Sequence, residues 1–155
     1  MSDPNTEILP FTAFSFAVEI KVNDALPKVC NAAFAECDGL EMSMEVKTIR
    51  EGGNNGAQIR LTGPVSYGQL TLKRGMTATF DLWDWFNTML QPGKAGLRAD
   101  AVVLLLAPDQ RERARFVLKR CVPVKLKAPA LNAKDGLLAI EEFQLAYESL
   151  TLKRP

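Results

Sequence analysis

The sequence contains no histidine. That removes the side chain most often used as a general base near neutral pH and the commonest nitrogen ligand for metals. Ser-His-Asp, Cys-His and HExxH chemistry are excluded, and the acidic residues are scattered through alternating segments where charged side chains normally face solvent. No catalytic residue, cofactor or metal site is expected, and the chain does not read as an enzyme. Cysteine is scarce as well: Cys30, Cys37 and Cys121 are odd in number and lack CxxC spacing. Such thiols read as small buried hydrophobes in a reducing cytoplasm rather than as a disulfide framework. No apolar stretch near the N-terminus has the charged flank and length of a signal peptide. The most continuous apolar run, residues 101–107, is far shorter than the roughly 20 residues that span a bilayer, so no membrane-spanning segment is expected. An excess of one charge is missing too. The 19 Lys and Arg against 18 Asp and Glu leave +1, which gives no global field for steering onto nucleic acid or an anionic membrane.

What remains is an ordinary globular composition of 155 residues, 47% apolar. At that length a folded chain hides about two-thirds of the surface its unfolded form exposes, enough for one domain with its own core. Residues 1–10 are polar, carry Pro4 and Pro10, and read as an N-terminal arm. Phe14, Phe16, Val18, Ile20 and Val22 then alternate with small or polar residues, the period of two that buries one face of a strand. Leu40, Met42, Met44 and Val46 alternate in the same way with Glu41, Ser43, Glu45 and Lys47, which predicts a second long arm reaching about Ile49. It runs into Glu51-Gly52-Gly53-Asn54-Asn55-Gly56, whose residue types permit a tight reversal. The arm is expected to return through Gln58, Ile59 and Leu61, with residues 45–60 protruding and Thr62-Gly63-Pro64 closing the excursion. Leu70 and Leu72 then face a core from a strand that ends at Gly75.

Between Thr77 and Leu90 the period changes. Leu82, Phe86, Met89 and Leu90 stand at helical spacing, with Thr77 or Thr79 available to cap the start, Asp81 and Asp84 at the positive end, and Pro92-Gly93 to stop it. The spacing predicts one helix over about 78–91, held on the core by Leu82, Trp83, Trp85, Phe86 and Met89. Residues 100–106 read as a strand covered on both faces, and Pro108-Asp109-Gln110 turns it back. A basic strand follows, in which Pro123 marks an edge or a bulge. Its Arg113, Arg115, Lys119, Lys125 and Lys127 form either a solvated face or a charged wall that meets a partner. Residues 137–150 fit a helix through Ile140, Phe143, Tyr147 and Leu150, or a strand through Glu141, Phe143, Leu145 and Tyr147; the strand is preferred. The sum is a mainly β fold, a single-domain β-sandwich or barrel with one plugging helix and a long extended hairpin arm.

A series of short motifs occurs in order: Asp38-Gly39-Leu40-Glu41, Arg50-Glu51-Gly52-Gly53-Asn54-Asn55, Leu61-Thr62-Gly63-Pro64 and Leu70-Thr71-Leu72-Lys73-Arg74-Gly75. Leu82-Trp83-Asp84-Trp85 comes next, followed by Pro123-Val124-Lys125, Leu131-Asn132-Ala133 and Ala139-Ile140-Glu141. The ensemble, over roughly residues 12–151, resembles the inner-tube proteins of contractile phage tails and phage-tail-like contractile injection systems. Cys37, where the family commonly has Ser, and Thr62, where Pro is frequent, are departures.

The resemblance implies a structural subunit that forms hexameric rings, which stack into a hollow tube inside a sheath and mounted on a baseplate, with cargo as a possible occupant of the lumen. It implies synthesis in the bacterial cytoplasm and assembly into a phage-tail-like particle or virion tail. Glu45, Lys47, Arg50, Glu51, Gly52, Gly53, Asn54 and Asn55 are then the expected inter-subunit contacts. Alternatives are a homologous tube-initiator ring that joins tube to baseplate, or a small-ligand or carbohydrate-binding β-sandwich that stacks ligands on Trp83, Trp85 and Tyr67. A nucleic-acid module on the basic strand lacks the aromatic interleaving that single-strand binding needs. If Trp83 is a core plug, Trp83→Ala lowers the free energy of unfolding by about 3 kcal/mol in urea titrations; a change within error would make it a surface residue.

Overall fold

The structure, a computed structural model, describes residues 15–22, 30–32, 34–50, 52–53, 56–94, 96–134, 136 and 138–155. The expected N-terminal arm, and Phe14, Glu51, Asn54, Asn55 and Leu137, lie outside the described residues. The elements are β1 (Phe16–Lys21), β2 (Cys30–Ala32), β3 (Glu36–Asp38), β4 (Met42–Ile49), β5 (Ile59–Tyr67), β6 (Gln69–Gly75), α1 (Asp81–Met89), β7 (Ala99–Leu106), β8 (Glu112–Lys127), β9 (Ile140–Ala146) and β10 (Ser149–Lys153). Strands join in the order β2-β1-β7-β8-β9-β6-β3, with β10 beside β8. All described pairings are antiparallel.

Strand β8 belongs to both layers of the sandwich. Its first half pairs with β7 and β10, its second half with β9. Between them the chain turns a corner at Arg120, whose φ of 55° is a left-handed conformation that few non-glycine residues adopt. Sandwich corners are made this way, by a strand that bends out of one sheet and into the other. The inward faces of the two layers then meet. Val18, Ile20, Ala101, Val103 and Leu118 come from one side and Leu70, Leu72, Phe143 and Leu145 from the other, all buried in one cluster.

Helix α1 plugs this core with Leu82 and Trp85, both buried, and the Trp85 ring lies 5.6 Å from that of Phe143. Met89 packs against the cluster, while Trp83 and Phe86 are half-buried. The helix is shorter than its periodicity predicts and starts differently. Its N-cap is Phe80, which has no capping side chain, and the Thr77 hydroxyl instead accepts the Thr79 N–H. Asp81 accepts the Leu82 N–H, so an acidic residue inside the first turn does part of the work of a cap. Strand β7 also departs from expectation: its core face is buried but Asp100 on the other face is exposed.

The chief correction concerns charge. Arg74 and Glu141 are buried, 7% and 1% exposed, where alternating segments were expected to turn charges outward. Arg74 sits on the same strand parity as Leu70 and Leu72, and Glu141 on that of Phe143 and Leu145. Their side chains meet at 2.5 Å, Arg74 also pairs with Asp81 on the helix, and the Trp83 indole N–H donates to the second Glu141 oxygen at 3.1 Å. The guanidinium lies 5.4 Å from the centre of the Phe34 ring. The cluster ties α1 to β6 and β9 with every buried side-chain polar atom satisfied among the described residues. Removing one partner of such a pair is costly because the other stays buried and uncompensated. Arg74→Ala is therefore expected to lower the free energy of unfolding by about 3–5 kcal/mol, and Arg74→Met with Glu141→Leu to recover most of it. Equal denaturation midpoints for parent and Arg74→Ala would contradict the clamp.

Candidate functional site

Strands β3 and β4 form one arm of a single long hairpin and β5 and β6 the other. Glu36 faces Lys73, Asp38 faces Thr71 and Met42 faces Tyr67 in one unbroken register. The inner half of this hairpin is part of the sandwich. The outer half, β4 and β5, pairs only with itself among the described residues and has almost no side chain under cover. Met42, Met44, Val46, Ile49, Ile59, Leu61 and Val65 each keep 40–58% of their surface exposed. Opposite residues share a face, so Met42, Met44, Val65 and Tyr67 line one side and Ile49, Ile59 and Leu61 the other. An isolated two-stranded ribbon is marginal in water. One that shows apolar side chains on both faces is built to be covered.

Thr62-Gly63-Pro64 does not close the excursion as expected, and β5 continues through it to Tyr67. The register shifts between Met44 and Val46 instead, a bulge that accommodates a proline without an N–H to donate. A Cβ on Gly63 would stand 2.6 Å from the Glu45 carbonyl oxygen, so the bulge needs glycine there. Where the ribbon leaves the sandwich, the Tyr147 hydroxyl donates to the Gly39 carbonyl at 2.7 Å and accepts the Glu41 N–H at 3.1 Å. The Tyr147 ring lies 5.7 Å from that of Tyr67. Gly39 has φ of 100°, and any Cβ on it would collide with the Gln69 backbone. These contacts aim the ribbon.

Of the expected contact residues, Glu45 and Lys47 lie exposed on β4, Arg50 follows it, and Gly52 and Gly53 lie in the turn. The structure groups them on the ribbon, but sequence reasoning did not count among the contacts the apolar side chains between those charges, which the structure leaves exposed. The aromatic platforms of a ligand-binding module do not assemble. Trp85 is in the core, Trp83 is tied to Glu141 and Tyr67 stacks on Tyr147. A cleft of about 510 Å³ between the layers is lined by Phe16, Val103, Phe116 and the β3 strand, and by none of those three rings. Three cations of the basic strand are paired with carboxylates: Arg115 with Glu112 at 2.9 Å, Lys119 with Asp100 at 3.0 Å and Arg120 with Glu148 at 2.5 Å. Hydrogen bonds from Arg115 hold the Glu112 carboxyl below its ordinary value. Among the described residues no acidic or thiol cluster could hold a metal, and no helix is long and apolar enough to cross a membrane.

Three acids sit beside these elements. Burial, reinforced by the Asp38 carboxylate, pushes the Cys37 thiol up to about 11, and burial pushes Cys121 up to about 12. Burial raises the Tyr147 phenol as well. The folded chain thus keeps thiol protons that the unfolded chain releases around the ordinary value of 9.0. Above that pH the unfolded state binds fewer protons than the folded one, so stability falls as pH rises. The melting temperature should show no thiol-linked change below about pH 8 and should decline from about pH 9 to 11. Cys37→Ala with Cys121→Ala is expected to flatten that decline; an unchanged slope would refute the assignment.

Residues 12–151 match the family model described as T4-like virus tail tube protein gp19. The chain is similar to a chain in the cryo-EM structure of the anti-feeding prophage (AFP) baseplate, 6-fold symmetrised, with 25% identity and a TM-score of 0.82 over 96% of this chain and 98% of that one. It shares its fold with a chain of the sheath-tube complex of the extracellular contractile injection system PVC, at 19% identity and a TM-score of 0.78 over 94% and 93% of the two chains. It also shares it with a chain of the AFP tube-terminating cap, at 17% identity and a TM-score of 0.81 over 99% and 97%. No curated protein sequence matches it. With its open-edged β-sandwich and a match over nearly its whole length, the chain belongs to the T4-like virus tail tube protein family, as a structural tube subunit.

Proposed function

We propose that this subunit closes into six-membered rings that stack into the hollow inner tube of a contractile, phage-tail-like particle. The exposed β4-β5 ribbon carries the reading. Among the described residues its seven large apolar side chains lack an apolar partner layer, and a neighbouring copy supplies one. At about 25 cal/mol for each Å² removed from water, covering such a ribbon contributes several kcal/mol at every interface. Ring symmetry then repeats the contact. Glu45, Lys47 and Arg50, with Gly52 and Gly53 at the turn, contact the adjacent subunit, and Glu51, Asn54 and Asn55 belong to the same proposed contact. Modest ion pairs repeated around a ring select register without a tight dimer.

The role is mechanical rather than catalytic, and the subunit is made in the bacterial cytoplasm before assembly. The AFP relative comes from a 6-fold symmetrised baseplate and the PVC chain from a sheath-tube complex, which supports baseplate and sheath proteins as further partners here. The baseplate origin of the 25% identical relative also favours a second reading, a ring that adapts the tube to the baseplate.

Purified protein examined by negative-stain microscopy and light scattering is expected to show six-membered rings. Long stacked tubes would mark a bulk subunit, and rings that never stack would mark an adaptor. Deleting residues 52–56 should leave a folded chain that cannot elongate; tubes of parental length from that variant would remove the ribbon from the assembly.

A further inference from the structure

The sandwich is closed at its centre and open at one end. On the core-facing sides of β1, β7 and β8, Val18, Val103 and Leu118 are buried. Phe16, Leu105 and Phe116 lie on the same faces toward the open end and stay half-buried. Leu152, opposite Phe116 on β10, keeps 60% of its surface exposed. Across the gap stand Cys37 of β3 and Leu40, half-buried as well. Phe16, Leu105, Phe116, Cys37 and Leu40 all line the cleft of about 510 Å³ between the layers. Protein interiors hold few voids larger than a water molecule. This one has room for about three ring-sized groups, since a cavity of about 150 Å³ accepts a benzene.

The chain enters β1 at the rim of this cleft. The Ser15 carbonyl accepts the Leu106 N–H, and the next residue, Phe16, already belongs to the lining. Ahead of Ser15 comes Ile8-Leu9-Pro10-Phe11-Thr12-Ala13-Phe14, which carries no charge; the acids Asp3 and Glu7 precede it. We infer that residues 8–14 fold into the cleft of their own chain, and that Leu9, Phe11 and Phe14 occupy it. Phe14 stands two positions before Phe16, on the alternation that takes Phe16, Val18 and Ile20 toward the core. Pro10 has no N–H to leave unpaired against an apolar wall. A tethered segment also enters without the translational and rotational cost that a free peptide meets. Once docked, it backs the wall formed by β3 and Leu40 from the inside. The ribbon departs just beyond Leu40, so the segment adds to the hold that Tyr147 has on its root at Gly39 and Glu41. The contact lies within one chain and does not depend on ring formation.

Cys37 lines the cleft and reports on its occupant. In dilute full-length protein carrying Cys30→Ala and Cys121→Ala it is the only thiol. Adding Leu9→Asp with Phe11→Asp is expected to speed maleimide labelling of Cys37 at least about tenfold, because charge keeps the segment in water. The circular dichroism spectrum should not change. In the same two-alanine background, Leu9→Cys or Phe11→Cys is expected to give a disulfide to Cys37 on oxidation with copper phenanthroline. Mass spectrometry would read it as a monomer lighter by two hydrogens. Such a bond forms only where the two Cα atoms approach within about 7 Å. Unchanged labelling in the folded aspartate variant overturns the inference, as does failure of both cysteine variants to cross-link. Disulfide-linked dimers in place of the monomer overturn it in favour of a neighbouring copy's segment. If the aspartates unfold the chain, the cross-link decides, since it places no charge in the cleft.

Discussion

Backbone N–H and C=O groups tolerate water or a partner, but not burial without one. In this chain that constraint is met inside the sandwich and deferred at its margins. Among the described residues, strand β3, the second half of β8 and the whole β4-β5 ribbon have ladder positions open, and the ribbon adds apolar side chains on both faces. A monomer designed for solution would blunt such edges. Here β4 and β5 run for eight and nine residues with their apolar side chains exposed, as the proposed contact between copies requires.

An unfinished edge is useful for assembly only if it is held in a fixed direction. Two devices do this. The Arg74-Glu141-Asp81 cluster fixes the helix against β6 and β9, so the layer that carries both open edges has a rigid backing. The Tyr147 hydroxyl grips the backbone at Gly39 and Glu41, so the ribbon departs from that layer at one angle. Buried ion pairs are weak contributors to net stability, since desolvation offsets most of their attraction. Their use here is directional: a charged cluster accepts one arrangement of its three elements, where an apolar patch would accept several.

Much of the fold was legible in one dimension. Period-two alternation located β1, β4, β6 and β9, and period 3.6 with Pro92-Gly93 located the helix. The strand preference for residues 137–150 is met from Ile140 onward by β9 and the start of β10. The misses have physical causes. Thr62-Gly63-Pro64 has the composition of a turn, but in a ribbon whose edges are open a bulge absorbs the same residues. Thr77 and Thr79 are good caps in isolation, and the helix starts later because Asp81 is held in place by Arg74 from another strand. Arg74 and Glu141 were readable in principle, since each continues the buried parity of its strand, but charge suggested solvent.

The sequence by itself determined the class: a mainly β chain without histidine, with one helix, a glycine-rich reversal and the ordered motifs of a tube subunit. These follow from local properties, namely periodicity, turn chemistry and residue inventory, which do not depend on what lies across the sheet. Only the tertiary structure decided which strands stand at the edges, that Glu36, Lys73, Glu142 and Lys127 fall into one row, and that Arg74 meets both Glu141 and Asp81. Those facts join residues as far as about a hundred positions apart, and pairing order among strands is a property of the closed sandwich that no single segment encodes.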